Sequence, residues 1–154
     1  MDRDNHEVRH VDLLVDLSLH PDARHARAHT PAELRPLFRE LDDSLQRLGY
    51  SQEDILATGL ALIEVMVHAF RHGNKSNANK IIQVRYLVAP DEVLLEVEDE
   101  GNGFYPARVP PPPADGRMSR WPTRGLFLAR AYASWLSFNA SGNRVTVCRR
   151  RSIP

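Results

Sequence analysis

In the stretch IEVMVHAFRHGNK, residues 63 to 75, Glu64, His68 and His72 recur at four-residue intervals and Gly73 closes the run. Residues four apart are neighbours on a helix surface, so the three side chains share one stripe. A carboxylate and two imidazoles so placed could ligate zinc, and Glu64 alone could serve as a base toward a hydroxyl. A second group lies in DEGNGF, where Asp99 precedes Gly101 and Gly103. Two glycines two residues apart let the backbone turn sharply and come close to a ligand. A third lies in TRGLFLAR, where Arg124 and Gly125 open a predicted helix whose first amides are free to receive phosphate oxygens. Each group alone has a plainer reading, as a solvated helix face, a strand-ending turn or an ordinary helix start. Their occurrence in this order, with a long loop between the second and third, points to a single ligand site.

These groups need elements to hold them. HVDLLVDLSLHP alternates apolar residues from Val11 to Leu19 with mainly polar neighbours, which predicts a first strand. PDARHARAH has no clear period and reads as a connection. Thr30 before Pro31, with Glu33 three residues on, has the form of a capping box and predicts a helix to Leu48 that Gly49 closes. Ser51 and Asp54 mark a second start, and Ile55, Leu62, Ile63, Met66, Val67 and Phe70 turn toward a core. Glu64, His68, Arg71 and His72 occupy a different, polar stripe of that helix.

After the polar loop NKSNAN, the runs IIQVRYLVA and VLLEVED flank Pro90-Asp91-Glu92 and read as a hairpin. The four-proline segment between Phe104 and Thr123 cannot be a regular helix or central strand, and it is long enough to be a functional lid. GLFLARAYASWL predicts a helix, Asn139 to Asn143 a turn and RVTVCR a last strand. The order gives an α+β two-layer sandwich with a mainly antiparallel sheet and helices packed on one face.

A chain of 154 residues, 42% hydrophobic and 26% charged, matches one domain, residues 1–154, with one core. Twenty basic residues balance 20 acidic ones, so no overall field favours nucleic acid or an anionic membrane. Arg149-Arg150-Arg151 reads as a solvated tail. A single cysteine, Cys148, excludes an internal disulfide framework, fits a reducing compartment and is expected to be structural. No apolar run reaches the roughly 20 residues of a membrane helix, and the expected location is cytoplasmic.

From about Thr30 to Arg150 the chain resembles the anti-sigma-factor serine kinases of the histidine-kinase-like (GHKL) ATPase superfamily. Their first box, E-x-x-x-N-A-x-x-H-G, is matched by Glu64, Ala69, His72 and Gly73; their second, D-x-G-x-G, by Asp99, Gly101 and Gly103. The third, a G-x-G-L-x-L turn into a helix, is matched by Gly125, Leu126 and Leu128, with Thr123 where the first glycine stands. SFNASGNRVTV is similar to the closing turn and strand of these proteins. The resemblance implies an ATP or ADP site in which Asp99 accepts a hydrogen bond from the adenine amino group while Gly101 and Gly103 make room for the base. It implies phosphates held by the amides near Arg124, Gly125 and Leu126, a lid over residues 104–123, and Glu64 as the base at the hydroxyl of a partner serine. It also implies a homodimer, with a sigma factor and an anti-anti-sigma (STAS-type) protein as partners.

The chain departs from that pattern at His68, where the family places the asparagine whose oxygen binds Mg2+. Magnesium takes oxygen ligands in near-octahedral geometry, which imidazole serves poorly. Three readings therefore stand beside one another: a kinase, a partner-switching module without phosphoryl transfer that presents its helix around Arg35 to Arg47, and a zinc protein using Glu64, His68 and His72. His25 and His29 could complete the zinc set.

Overall fold

The computed structural model describes residues 16–103, 114–117 and 124–154. Five strands form one sheet in the order β1-β2-β3-β5-β4, and every neighbouring pair is antiparallel. The strands are β1 (Arg24–Ala28), β2 (Ile82–Val88), β3 (Glu92–Glu98), β4 (Trp135–Phe138) and β5 (Arg144–Arg150). Three helices, α1 (Arg35–Arg47), α2 (Gln52–His68) and α3 (Arg124–Tyr132), join it in an α+β fold of the expected class. None of the described helices is long and apolar enough to cross a membrane.

Period-two alternation sorts the sheet's side chains. Val84, Tyr86, Leu95, Val97 and Val147 face the helices, which answer with Leu41, Leu45, Leu62, Val65, Met66 and Leu126 in one core. Removing each such aliphatic side chain from water contributes roughly 1.5–3 kcal/mol. Leu94 and Cys148 face the other way and pack with Leu17 and Ala23. Burial first, and the neighbouring Glu92 carboxylate second, push the Cys148 thiol up to about 12, so it stays an unreactive thiol that donates to Glu92 Oε2 at 3.5 Å. Beside this small cluster, Arg85 donates to Glu96 in a buried pair, and the Leu17 amide donates to the other Glu96 oxygen at 3.3 Å.

Four expectations change. The strand expected over Val11 to Leu19 falls largely outside the described residues, and its described end is a turn in which the Leu19 amide donates to the Asp16 carbonyl at 3.3 Å. The first described strand is instead RHARA, which the sequence suggests is a connection. Among the described residues it pairs only with β2, through Ala26 opposite Val84, and an edge strand with little to bury needs no apolar alternation. The capping box is also rearranged. Thr30 makes no side-chain cap, Glu33 Oε2 takes the His29 amide at 2.9 Å, and a 3-10 turn over Pro31–Leu34 precedes α1. Pro36 has no N–H for a carbonyl one turn back, which separates the two pieces. Finally, the expected helix GLFLARAYASWL ends at Tyr132, and Trp135–Phe138 becomes β4, whose Leu136 lies opposite Val147.

Arg149 and Arg151 of the arginine run are structural clamps and not a solvated tail, while Arg150 between them is exposed. Arg149 Nε and Nη2 donate to Asp54 Oδ1 at 3.1 and 2.8 Å, and Nη1 donates to the Tyr132 carbonyl at 2.9 Å. The Ser152 amide and hydroxyl donate to Asp54 Oδ2 at 2.9 and 2.8 Å. Burial pushes the Asp54 carboxyl upward, but the bonds from Ser152, Arg149 and Ser51 outweigh it and hold the group below its ordinary value. Arg151 stacks 4.9 Å from the centre of the Tyr50 ring and donates to the Leu48 carbonyl at 2.9 Å. Gly49, at φ +75, closes α1 as expected.

Candidate functional site

Helix α2 begins where the sequence predicts, with Ser51 Oγ accepting the Asp54 amide at 3.1 Å. At its other end Ala69–Gly73 widens into a π turn, closed by the Asn74 amide donating to the Ala69 carbonyl at 2.8 Å. Such turns are frequent at functional sites, and this one delivers Gly73 against the end of β3. A Cβ on Gly73 would overlap the Asp99 carboxyl, and one on Gly101 would overlap the Gly73 carbonyl. Backbone meets backbone there only because both residues lack side chains. Gly103, at φ +98, is similarly confined, since a Cβ would run into the Ser141 carbonyl.

Asp99 sits between these contacts, 9% exposed. Its Oδ1 accepts the Gly101 amide at 2.7 Å, its own amide donates to the Asn143 carbonyl at 2.9 Å, and its carbonyl accepts from Asn143 Nδ2 at 3.3 Å. Asn139 fixes Asn143 in turn, donating to its Oδ1 at 2.8 Å and accepting its amide at 3.1 Å. Burial pushes the Asp99 carboxyl above the usual range; the Gly101 amide pulls it part of the way back, while Glu98 adds to the rise. A buried carboxylate with one donor among the described residues has lone pairs left for a ligand's N–H.

On the other side of the turn lies Asn74, which the sequence reading passes over within the polar loop NKSNAN. It is fully buried, and its Oδ1 accepts the Glu100 amide at 2.8 Å while its Nδ2 donates to the Ile81 carbonyl at 3.1 Å. No local pattern marks it; its position directly after Gly73 was the only available signal.

One face of α2 supplies the second half of the site. Glu64, half-buried, lies against the start of α3, where a Cβ on Gly125 would come within 2.8 Å of Glu64 Oε2. Arg124, the first residue of α3, is exposed, and Leu126 is buried in the core. Glu64 and Gly73 are nine residues apart along this element, roughly 13 Å at helical rise, so α2 and its π turn bridge the carboxylate at α3 and the glycine contact at Asp99. Thr123 and most of the lid segment 104–123 lie outside the described residues.

His68 is buried, whereas His72 is exposed; their ring centres are 5.1 Å apart with planes tilted by 33°. Burial first, and the neighbouring His72 second, push the His68 imidazole down to about 4, so it is neutral at physiological pH. A neutral imidazole beside Glu64 is a poor donor set for Mg2+, and the described residues do not fit that ion as the resemblance implies. The zinc reading meets a different obstacle. Among the described residues, no three His, Cys, Asp or Glu side chains come together to hold a metal. His25 is exposed on β1, and His29 Nδ1 is paired with the Lys80 carbonyl at 3.2 Å.

The model of the histidine kinase-like ATPase domain family matches residues 28–149, and the chain belongs to that family. Family membership implies nucleotide binding. No curated protein matches the sequence. The crystal structure of the RsbU and RsbW domains of Rv1364c from Mycobacterium tuberculosis is similar in fold, with a TM-score of 0.57 and 23% identity over 86% of this chain. This chain spans 33% of the length of that one.

Proposed function

We propose that this chain binds ATP along α2, with the base at Asp99 and the phosphates at the start of α3, and acts as a regulatory module of the anti-sigma-factor serine kinase type. The observation that carries the reading is the pair of contacts made by one helix: Gly73 against Asp99 and Gly101, and Glu64 against Gly125. Asp99 accepts the adenine amino group, and the glycine contacts leave the space a flat base needs. The free amides at Arg124, Gly125 and Leu126 receive phosphate oxygens, with the Arg124 charge beside them. Glu64 is placed to orient or deprotonate a serine hydroxyl of an anti-anti-sigma partner, and a sigma factor is the second partner of a cytoplasmic homodimer. Phosphoryl transfer demands mainly positioning and charge neutralisation, which this arrangement supplies in part.

One observation favours a second reading within the same site. His68 is buried and neutral where the resemblance has an oxygen ligand for Mg2+, which supports a nucleotide-responsive switch that transfers no phosphate. Titrating ATP and ADP with and without Mg2+, then assaying transfer to a partner serine, separates the two. The kinase reading expects Mg2+-dependent transfer that Glu64→Ala abolishes while ATP still binds. Binding without transfer leaves the switch, and no binding of either nucleotide defeats both.

A further inference from the structure

We infer that Asn74 is the positioning residue of the base pocket: its buried amide fixes the register between the Gly73 end of α2 and the Asp99–Gly101 turn, and thereby the choice of base. The inference rests on the adenine reading of Asp99 given above.

One side chain ties three segments together. Asn74 Oδ1 holds the Glu100 amide at 2.8 Å, Nδ2 holds the Ile81 carbonyl at 3.1 Å, and the Asn74 amide closes the π turn on Ala69 at 2.8 Å. Glu100 Oε2 accepts the Ile81 amide at 2.7 Å, which completes a ring of bonds between the start of β2 and the turn after β3. Glu100 stands between Asp99 and Gly101, so any movement of its amide carries both with it. There is no slack to absorb such movement, because Gly73 and Gly101 already touch through their backbones. The next two residues, Lys75 and Ser76, both adopt φ 55, a left-handed conformation costly for side-chain-bearing residues. They are held there by the Ser76 amide donating to the Phe70 carbonyl at 2.8 Å. Only a primary amide offers the donor and the acceptor together at this size: aspartate lacks the donor, and leucine lacks both. Base choice follows from position. Adenine presents an amino donor where guanine presents a carbonyl, so a correctly placed carboxylate attracts one and repels the other.

The test compares ATP and GTP affinities of wild type, Asn74→Leu, Asn74→Ser and Asp99→Asn, with thermal stability measured on each. Leu45→Ala, a core truncation in α1, serves as a destabilised control away from the site. Losing two hydrogen bonds is expected to weaken ATP binding about tenfold. The preference for ATP over GTP should fall with it in both Asn74 variants, while Leu45→Ala keeps that preference. A folded Asn74→Leu or Asn74→Ser protein with wild-type ATP affinity and base preference overturns the inference. If Asp99→Asn weakens ATP binding and the Asn74 variants do not, only the inference fails; if wild type ignores ATP or Asp99→Asn changes nothing, the adenine reading fails and takes the inference with it. Should both Asn74 variants fail to fold, amide exchange of wild type decides: a protected Glu100 amide in the nucleotide-free protein supports the inference, and unprotected exchange overturns it.

Discussion

Gly73 lies flush against the carboxyl group of Asp99, with no room between them for a methyl group. Two segments 26 residues apart thus meet in a contact that depends on an absent side chain, and the nearness of a helix end to a buried carboxylate follows from it.

Gly73→Ala is expected to separate these segments. Its φ is not in the left-handed region, so the penalty is steric and comes from overpacking, on the order of 1–3 kcal/mol. Chemical denaturation reads that loss, and nucleotide titration should show ATP affinity falling further than stability alone requires. An unchanged affinity would mean that the contact is structural only.

Asp99→Asn should weaken ATP binding by tenfold or more, from the loss of a charge-assisted hydrogen bond of roughly 1.5–3 kcal/mol. Stability should move the other way. The folded carboxyl is raised above its unfolded value, so its contribution is fully present below the unfolded pKa and is lost as pH rises through the folded one. At pH 7 the charged group is therefore a burden that the amide removes. Denaturation of wild type and variant at pH 7 checks the sign: the variant should be at least as stable.

The His68 imidazole makes the opposite prediction for acid. Its folded pKa of about 4 lies below the ordinary 6.5, so its contribution is present above 6.5 and is lost as pH falls toward 4. Over that window the protein should lose on the order of 3 kcal/mol through this group, and His68→Asn should flatten the slope. The same variant is expected to raise Mg2+-dependent ATP binding, because an amide oxygen suits this hard cation better. Equal Mg2+ dependence in the two proteins would show that position 68 does not govern the ion.

Arg149→Met should be among the most destabilising substitutions in the chain, at about 3–5 kcal/mol, because it leaves the Asp54 carboxylate buried without its guanidinium. Arg150→Met, one residue on and exposed, should cost little. Comparably small losses in the two variants would return the arginine run to the status of a solvated tail.

Where sequence and structure agree, the signal was local. Gly73, Gly101 and Gly103 stand out because close backbone approach demands glycine whatever surrounds it, and the hairpin of β2 and β3 announces itself by composition and a proline-containing turn. β1 was hidden because an edge strand borrows its order from β2 and keeps Arg24, His25 and Arg27 exposed, with Arg24 reaching Glu40 of α1. β4 was hidden because Trp135 to Phe138 continue an apolar run begun by α3, and only pairing with β5 divides strand from helix. The roles of Asn74, Asn143 and Arg149 were illegible for one shared reason: each depends on a distant partner, Glu100, Asp99 and Asp54 respectively, and no local pattern encodes such a partner.

The place of β5 in the sheet has a consequence for synthesis. β5 is the last described strand in chain order, yet it lies between β3 and β4, so until it emerges β3 keeps one whole edge unpaired. During that interval Val93, Leu95 and Val97 belong to a sheet open at its middle, the kind of edge that recruits strands from other chains. The chain is therefore exposed to mispairing at this edge until residues 144–150 are free to pair, and the docking of this one segment closes the sheet and engages the Asp54 clamp together.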